Sequence, residues 1–350
     1  MNYTSIYIDD LTCIQKAIPD LELLRDCSIL ITGATGLVCS AIVDFLLNLN
    51  DTSQTNITVY VTARSLQKAE DRFGKIMNRS DVVFVEYEAQ EVVSWSFTVD
   101  YIIHGASPAN PALYVKKPVE TMLANFLGMN NILKYAKYHN VKRVLFVSSS
   151  EVYGKKDNSE PYGAYEYGYV DILNPRACYP SAKRACETLC ASYLAEHNID
   201  SVIVRLGHIY GPTATRQDTR ASSQFFYDVL DGHDIIMKSA GAQLRSYCYV
   251  IDCVSAIITV LLKGECGKAY NISNPDSVVS IRELAEQIAE SSGRKVVFEK
   301  ASDEEARGYN LMDNSSLDSS ELLSLGWKGC YSLKKGVDHT ITTIQGEDFR

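Results

Sequence analysis

The stretch SILITGATGLVC at 28–39 limits this chain more than any other. Its first five residues have the short, apolar character of a buried strand, and the residues after Cys39 read as a helix to about 49. A strand that turns on glycines straight into a helix is the context a dinucleotide-binding turn requires. Gly33 permits the tight turn. Gly36 lets the backbone approach a pyrophosphate lying on the unpaired N–H groups of the helix start. Thr35 and Leu37 complete the candidate contacts of this turn. Cys39 stands where the pattern has a third glycine. A glycine turn without a ligand is the alternative at this point.

The alternation continues down the chain. Strands are expected at 57–62, 82–85, 101–104, 141–147 and 201–205, with helices at 121–139 and 179–197. Strands alternating with helices predict an α/β fold, a Rossmann-type doubly wound parallel sheet. The expected division is a dinucleotide-binding unit over 1–205, rejoined by 249–263, and a smaller C-terminal α/β substrate-binding lobe over 206–350. A length of 350 residues suits two such units. Apolar Leu11, Ile14, Ile18 and Leu21 make 1–27 a leading helical segment that packs on the first unit. The stretch 294–346 reads as mixed, mostly surface structure.

Composition removes several classes of function. A net charge of −9 argues against a nucleic-acid partner, whose phosphates would be repelled. No apolar run reaches membrane length; the longest, 251–262, contains Asp252 and reads as a buried helix. The N-terminus has no basic-then-apolar signal, so a cytoplasmic protein is expected. The ten cysteines are scattered without a CxxC pair and read as small core residues of a reducing compartment. Cys186 and Cys190 share a helix face, but two thiols alone make a poor metal site, so no metal is expected.

The carboxyl ends of the strands carry the remaining cofactor candidates. The second strand ends in Thr62-Ala63-Arg64, with no acid for an adenosine ribose. Arg64 either meets the 2′-phosphate of NADP or is a solvated surface arginine. Glu91 and Val92 follow the third strand, where an adenine edge can be read. Ala106 and Ser107 follow the fourth, where small residues allow a cofactor to pass closely. Asn125 lies on the next helix. NAD is the expected cofactor, with NADP kept open by Arg64.

A tyrosine and a lysine four residues apart face the same way on a helix. A cation close to a phenol, whose pKa is about 10 in water, favours the phenolate and makes an acid/base group. Three such pairs occur: Tyr138/Lys142, Tyr179/Lys183 and Tyr331/Lys335. Tyr138 lies at a helix end before a strand, and Tyr331 in a late, polar, loop-like stretch. Tyr179 opens the helix after the fifth strand, which runs into SSSEVYG at 148–154. Position therefore selects Tyr179. Residues 155–175 between them form a long loop of the size that often covers a site.

TGATG, SSSEVYG, CYPSAK at 178–183 and RLGHIYGP at 205–212 together resemble the extended short-chain dehydrogenase/reductase family of nucleotide-sugar enzymes. Within it, NPRACYPSAKRACETLC at 174–190, IIHGASPANP at 102–111 and GAQLRSYCYVIDCV at 241–254 are similar to the UDP-glucuronate decarboxylase branch. The resemblance implies catalytic roles for Ser149, Tyr179, Lys183 and Glu151, with Tyr179 and Lys183 also contacting the cofactor. It implies a substrate contact at Arg245 and puts His208 near the substrate phosphates; Ser150, Arg176 and Arg220 are further substrate candidates, Arg220 because a guanidinium offers paired donors to a diphosphate. Dehydratases of the family carry Thr-Asp-Glu where this chain has Ser149-Ser150-Glu151, which disfavours dehydration. Cys39, Arg64 and His208, the last where many relatives have asparagine, depart from the family pattern.

The expected reaction is transient oxidation at the sugar's C4 followed by decarboxylation of UDP-glucuronate. A 4-epimerase, or a 4,6-dehydratase or 4-ketoreductase on another nucleotide sugar, is the alternative. A non-catalytic dinucleotide sensor is the alternative from another class. The resemblance also implies a homodimer paired through the helices at 119–139 and 179–197.

Overall fold

The computed structural model describes residues 4–300 and 312–346. Residues 301–311, part of the late stretch expected to be mixed surface structure, lie outside the described residues. The chain begins with helix α1 (Ser5–Gln15) and strand β1 (Ser28–Thr32), which leads through the glycine turn into α2 (Leu37–Ser53). It continues through β2 (Thr58–Ala63), α3 (Leu66–Phe73), β3 (Val82–Glu86), β4 (Tyr101–His104), α4 (Pro111–Lys116), α5 (Pro118–His139), β5 (Arg143–Ser149), α6 (Cys178–His197) and β6 (Ser201–Leu206).

These six strands join Ala269–Ile272 in one parallel sheet. The order from that late strand is Ala269–Ile272, β6, β5, β4, β1, β2, β3. The expected Rossmann-type doubly wound sheet is therefore present. Strand order reverses between β1 and β4, and ligands of such sheets bind over that switch point.

Alternate side chains of each strand feed opposite cores. Ile29 and Ile31 of β1 join the core under α2 and under the helix Val250–Lys263, while Leu30 joins the core under α5 and α6. Leu145 and Val147 of β5 face the first core, and Val144 and Phe146 the second. α2 is buried from Leu37 to Leu49 because the sheet, α1 and Val250–Lys263 enclose it. The leading helix packs as expected, with Tyr7, Leu11 and Ile14 in that core and the Tyr7 hydroxyl donating to Asp44 at 2.9 Å.

A second, smaller sheet is built on Leu244–Tyr249, which pairs with His208–Tyr210, Val278–Ser280 and Asn314–Ser315. The late Tyr331 lies in an irregular stretch, as its loop-like reading expected, but its ring is not at the surface. It is buried against Tyr249 and His339, beside the helix Leu333–Gln345. Polar flanking residues hid a ring that the tertiary packing takes in. Tyr138 is exposed at the end of α5.

Candidate functional site

The site begins at the glycine turn. Gly33 has φ +68°, and a Cβ there would lie 2.8 Å from backbone atoms of Gly105 and Ala106. Only glycine allows the turn after β1 to sit this close to the end of β4. Gly36 caps α2 with extended backbone and exposed surface, leaving the helix start open. Thr35 is half-buried and Leu37 buried. The Leu37 carbonyl accepts from the Thr213 hydroxyl at 2.7 Å.

Cys39 is accommodated by a glycine elsewhere. A Cβ on Gly105 would stand 2.4 Å from the Cys39 sulfur. The close helix–strand contact of the turn pattern is thus kept, with the small residue moved to the neighbouring strand. Burial pushes the Cys39 thiol up to about 12, so it packs as a neutral side chain.

Several buried polar atoms at the carboxyl ends of the strands have no protein partner among the described residues. They are Thr62 Oγ1 at β2, His104 Nε2 and Ser107 Oγ at β4, and His208 Nδ1 after β6. Asn125 Oδ1 on α5 is another. Buried polar groups are normally hydrogen-bonded, so this set marks the crevice as one that a polar ligand completes. The tight Gly33 cradle, the open start of α2 and these atoms fit a dinucleotide. The remaining cofactor candidates are exposed. Arg64 is exposed at the end of β2, and Glu91 and Val92 lie in an exposed loop, Val92 being 84 % accessible.

Tyr179 and Lys183 occupy the first two turns of α6, as their spacing requires. The start of that helix is set by Asn174, whose side chain accepts from the Arg176 N–H at 3.0 Å, and by Pro175. Lys183 is buried and donates to the Val147 carbonyl at 2.8 Å, with its ammonium 4.6 Å from the Phe146 ring centre. Burial pushes it down to about 8. The expectation that Lys183 lowers the Tyr179 pKa is not met in the protein alone. Burial, then the Glu151 charge, push Tyr179 up to about 12, while hydrogen bonds from Ser149 and Tyr114 act the other way. The lysine lies 5.7 Å from the ring centre and gives one of its three donors to the strand.

Ser149 ends β5 and accepts from the Glu151 N–H at 3.2 Å, which folds 150–153 into a short helical turn. Ser150 is buried in that turn. Glu151 is held by Arg176 through two bonds, at 2.8 and 3.1 Å. Two expected site residues are thus a bidentate ion pair, each about one-fifth exposed.

Tyr114 of α4 was not legible in the sequence. Its ring lies face to face with Tyr179, 4.5 Å between centres and 10° between planes, with the Arg176 guanidinium 5.2 Å from its centre. Its only sequence signal is a tyrosine in the segment after the small residues that end β4.

Arg220 is paired with Asp218, which also accepts from the Ser223 hydroxyl at 2.8 Å. Arg245 is buried, and its guanidinium donates to the carbonyl of its own neighbour Leu244 at 2.8 Å. Among the described residues no carboxylate pairs with it. Burial lowers its pKa, outweighing Tyr247 and the nearby charges of Asp313 and Glu151, which act the other way. The half-buried His208 ring is held down to about 3 by burial, with Arg245 and Arg220 adding to the effect.

The sequence matches the NAD dependent epimerase/dehydratase family over residues 29–273. It is 30 % identical over 321 residues to UDP-glucuronic acid decarboxylase 1 of Xenopus tropicalis, covering 91 % of this chain and 72 % of that one. It is 31 % identical over 326 residues to UDP-glucuronic acid decarboxylase 5 of Arabidopsis thaliana, covering 92 % and 89 %. Among solved structures it superposes on the UDP-N-acetylglucosamine 4-epimerase of Methanobrevibacter ruminantium M1 with a TM-score of 0.77. That match has 21 % identity and covers 91 % of this chain and 98 % of that one.

Proposed function

This chain belongs to the NAD dependent epimerase/dehydratase family, and from that premise we propose that it is a UDP-glucuronate decarboxylase. It is a nucleotide-sugar-modifying enzyme, and NAD is its cofactor. The observation that carries the finer reading is Arg245, a buried guanidinium without a carboxylate partner among the described residues, in a crevice that also holds Arg176 and Arg220. A substrate with two anionic groups, a diphosphate and a sugar carboxylate, supplies what such a site lacks. The relatives named above support the same reaction.

Tyr179 takes the proton of the sugar's 4-hydroxyl, with Ser149 holding the reacting oxygen. Burial raises the pKa of the phenol in the protein alone, and Lys183, 5.7 Å from the ring, together with the positive charge of a bound oxidised nicotinamide would favour its phenolate. Bound NAD would accept hydride at C4 and return it, so the reaction involves no net oxidation. A ketone at C4 beside the carbon that bears the carboxylate is a β-keto acid and loses carbon dioxide. Glu151, fixed by Arg176, lies beside Tyr179 and handles protons at the neighbouring carbon. Gly33, Thr35, Gly36 and Leu37 hold the pyrophosphate. Ala106, Ser107 and Asn125 line its path, and Lys183 contacts the ribose.

The exposed side chains Val119, Met122, Leu123 and Phe126 form one stripe along α5. We place a second copy of the chain on it, giving a homodimer. Incubation with UDP-glucuronate and NAD tests the reaction. Release of carbon dioxide with a UDP-pentose or its 4-keto form is the expected result. Epimerised UDP-glucuronate without carbon dioxide would instead establish the 4-epimerase.

A further inference from the structure

Behind the serine run lies a buried charged network that the proton-transfer reading does not use. Glu187, one turn beyond Lys183 on α6, accepts from the Ser148 hydroxyl at 2.6 Å. Arg205 of β6 pairs with both oxygens of Glu187, at 2.6 and 3.0 Å. The same guanidinium donates to the Tyr153 hydroxyl at 3.0 Å, the Ala164 carbonyl at 2.6 Å and the Tyr167 hydroxyl at 2.7 Å. A guanidinium has five N–H donors, and these five bonds use them all.

The partners come from different parts of the chain. Glu187 and Ser148 lie on α6 and β5, Tyr153 closes the turn that contains Glu151, and Ala164 and Tyr167 belong to the long loop after it. That loop is pinched at its base, where Lys155 and Tyr169 exchange backbone hydrogen bonds at 2.7 and 2.8 Å. The Tyr153 hydroxyl passes the network on to Asn271, which donates to the Tyr162 carbonyl at 2.8 Å. Fold stability alone does not call for this arrangement, since apolar residues of similar volume often stabilise as well as a buried ion pair.

We propose that Arg205, held by Glu187, is a positioning residue that sets the 148–153 segment and the loop 154–169 together. Movement of the loop is then felt at Ser149 and Glu151, and substrate enclosed by the loop fixes the groups that act on it. This rests on the reading that Ser149 and Glu151 serve Tyr179.

Two measurements on the NAD-loaded protein test it. The first is hydrogen exchange at the Gly168 and Tyr169 amides, which needs no sugar substrate. Tyr167→Phe removes one bond from Arg205 at an exposed ring, so folding is preserved. It should speed exchange there by about five- to tenfold. The second is a kinetic cycle joining Tyr167→Phe with Ser148→Ala, two side chains with no described contact. Tyr167→Phe should raise KM and leave kcat within about twofold, and the two effects on kcat/KM should fail to multiply by about threefold or more. Unchanged loop exchange in Tyr167→Phe, or effects that multiply in the cycle, overturn the proposal. Faster loop exchange in a protein that does not turn over UDP-glucuronate would overturn the assigned reaction and leave this coupling standing.

Discussion

Replacing Gly105 with alanine tests how the chain carries cysteine where a glycine is expected. The new Cβ would lie 2.4 Å from the Cys39 sulfur, 3.3 Å from the Thr32 carbonyl oxygen and 3.7 Å from a Val147 methyl. An ordinary contact to sulfur needs about 3.5–4.0 Å, so the sulfur must retreat by more than about 1 Å. Cys39 is 4 % exposed between α2 and the sheet and has nowhere open to go. Overpacking of this kind typically costs about 1–3 kcal/mol. Cys39→Ala alone leaves a sulfur-sized gap, and losses for small deletions run at about 1 kcal/mol. In the double variant the new methyl enters that gap, and only the approach to the Thr32 oxygen remains. Urea unfolding of the four proteins should show a coupling of at least about 1 kcal/mol, with Gly105→Ala milder in the Cys39→Ala background. The same loss in both backgrounds, within about 0.5 kcal/mol, would refute the exchange of small residues between turn and strand.

Tyr179→Phe should reduce turnover by at least about 100-fold, the lower range for losing a general base, while NAD affinity measured by calorimetry stays unchanged. Arg245→Met should raise the KM for the nucleotide sugar by about tenfold or more, yet leave the melting temperature equal or higher, because a buried unpaired cation is relieved. Asp252, buried in Val250–Lys263, is pushed up to about 7 from an ordinary 3.8 by burial. Between about pH 4 and 7 the native protein holds a proton there that the unfolded chain releases, so stability falls as pH rises through that window. Thermal melts of Asp252→Asn should show a shallower fall between pH 4 and 7 than the unaltered protein; an equal fall would count against the assignment. Phe126→Asp on the exposed stripe of α5 should convert a dimer to a monomer in light scattering, and an unchanged mass would remove the proposed interface.

The strands from 28 to 206 were legible because parallel strands are buried on both faces and read as apolar runs between turns. Their ends also located Ser149 and Tyr179, since residues leaving the carboxyl end of a strand face the crevice. The last sheet strand, Ala269–Ile272, was not read. It has four residues, and Asn271 breaks its apolar character because its side chain serves Tyr153 and Tyr162. Pairings were equally hidden. Nothing in the spacing couples Glu151 to Arg176, or Glu187 to Arg205, because each is made by elements that meet only in the folded sheet. The protonation of Tyr179 was misjudged for a related reason. Helical spacing places a lysine near the phenol but says nothing of the burial and the Glu151 charge that push the phenol's pKa up.

The position of Ala269–Ile272 bears on how the polypeptide acquires its shape during synthesis. β6 pairs on one side with β5 and on the other with a segment made more than sixty residues later. Until that segment leaves the ribosome, the growing chain presents an unpaired strand edge rich in valine and isoleucine, the kind of template on which chains associate wrongly. A fragment cut at residue 205 should therefore aggregate. One extended through 272 can close that edge, so His208–Tyr210 and Leu244–Tyr249 of the smaller sheet are made before the larger one is finished, and its other two strands after.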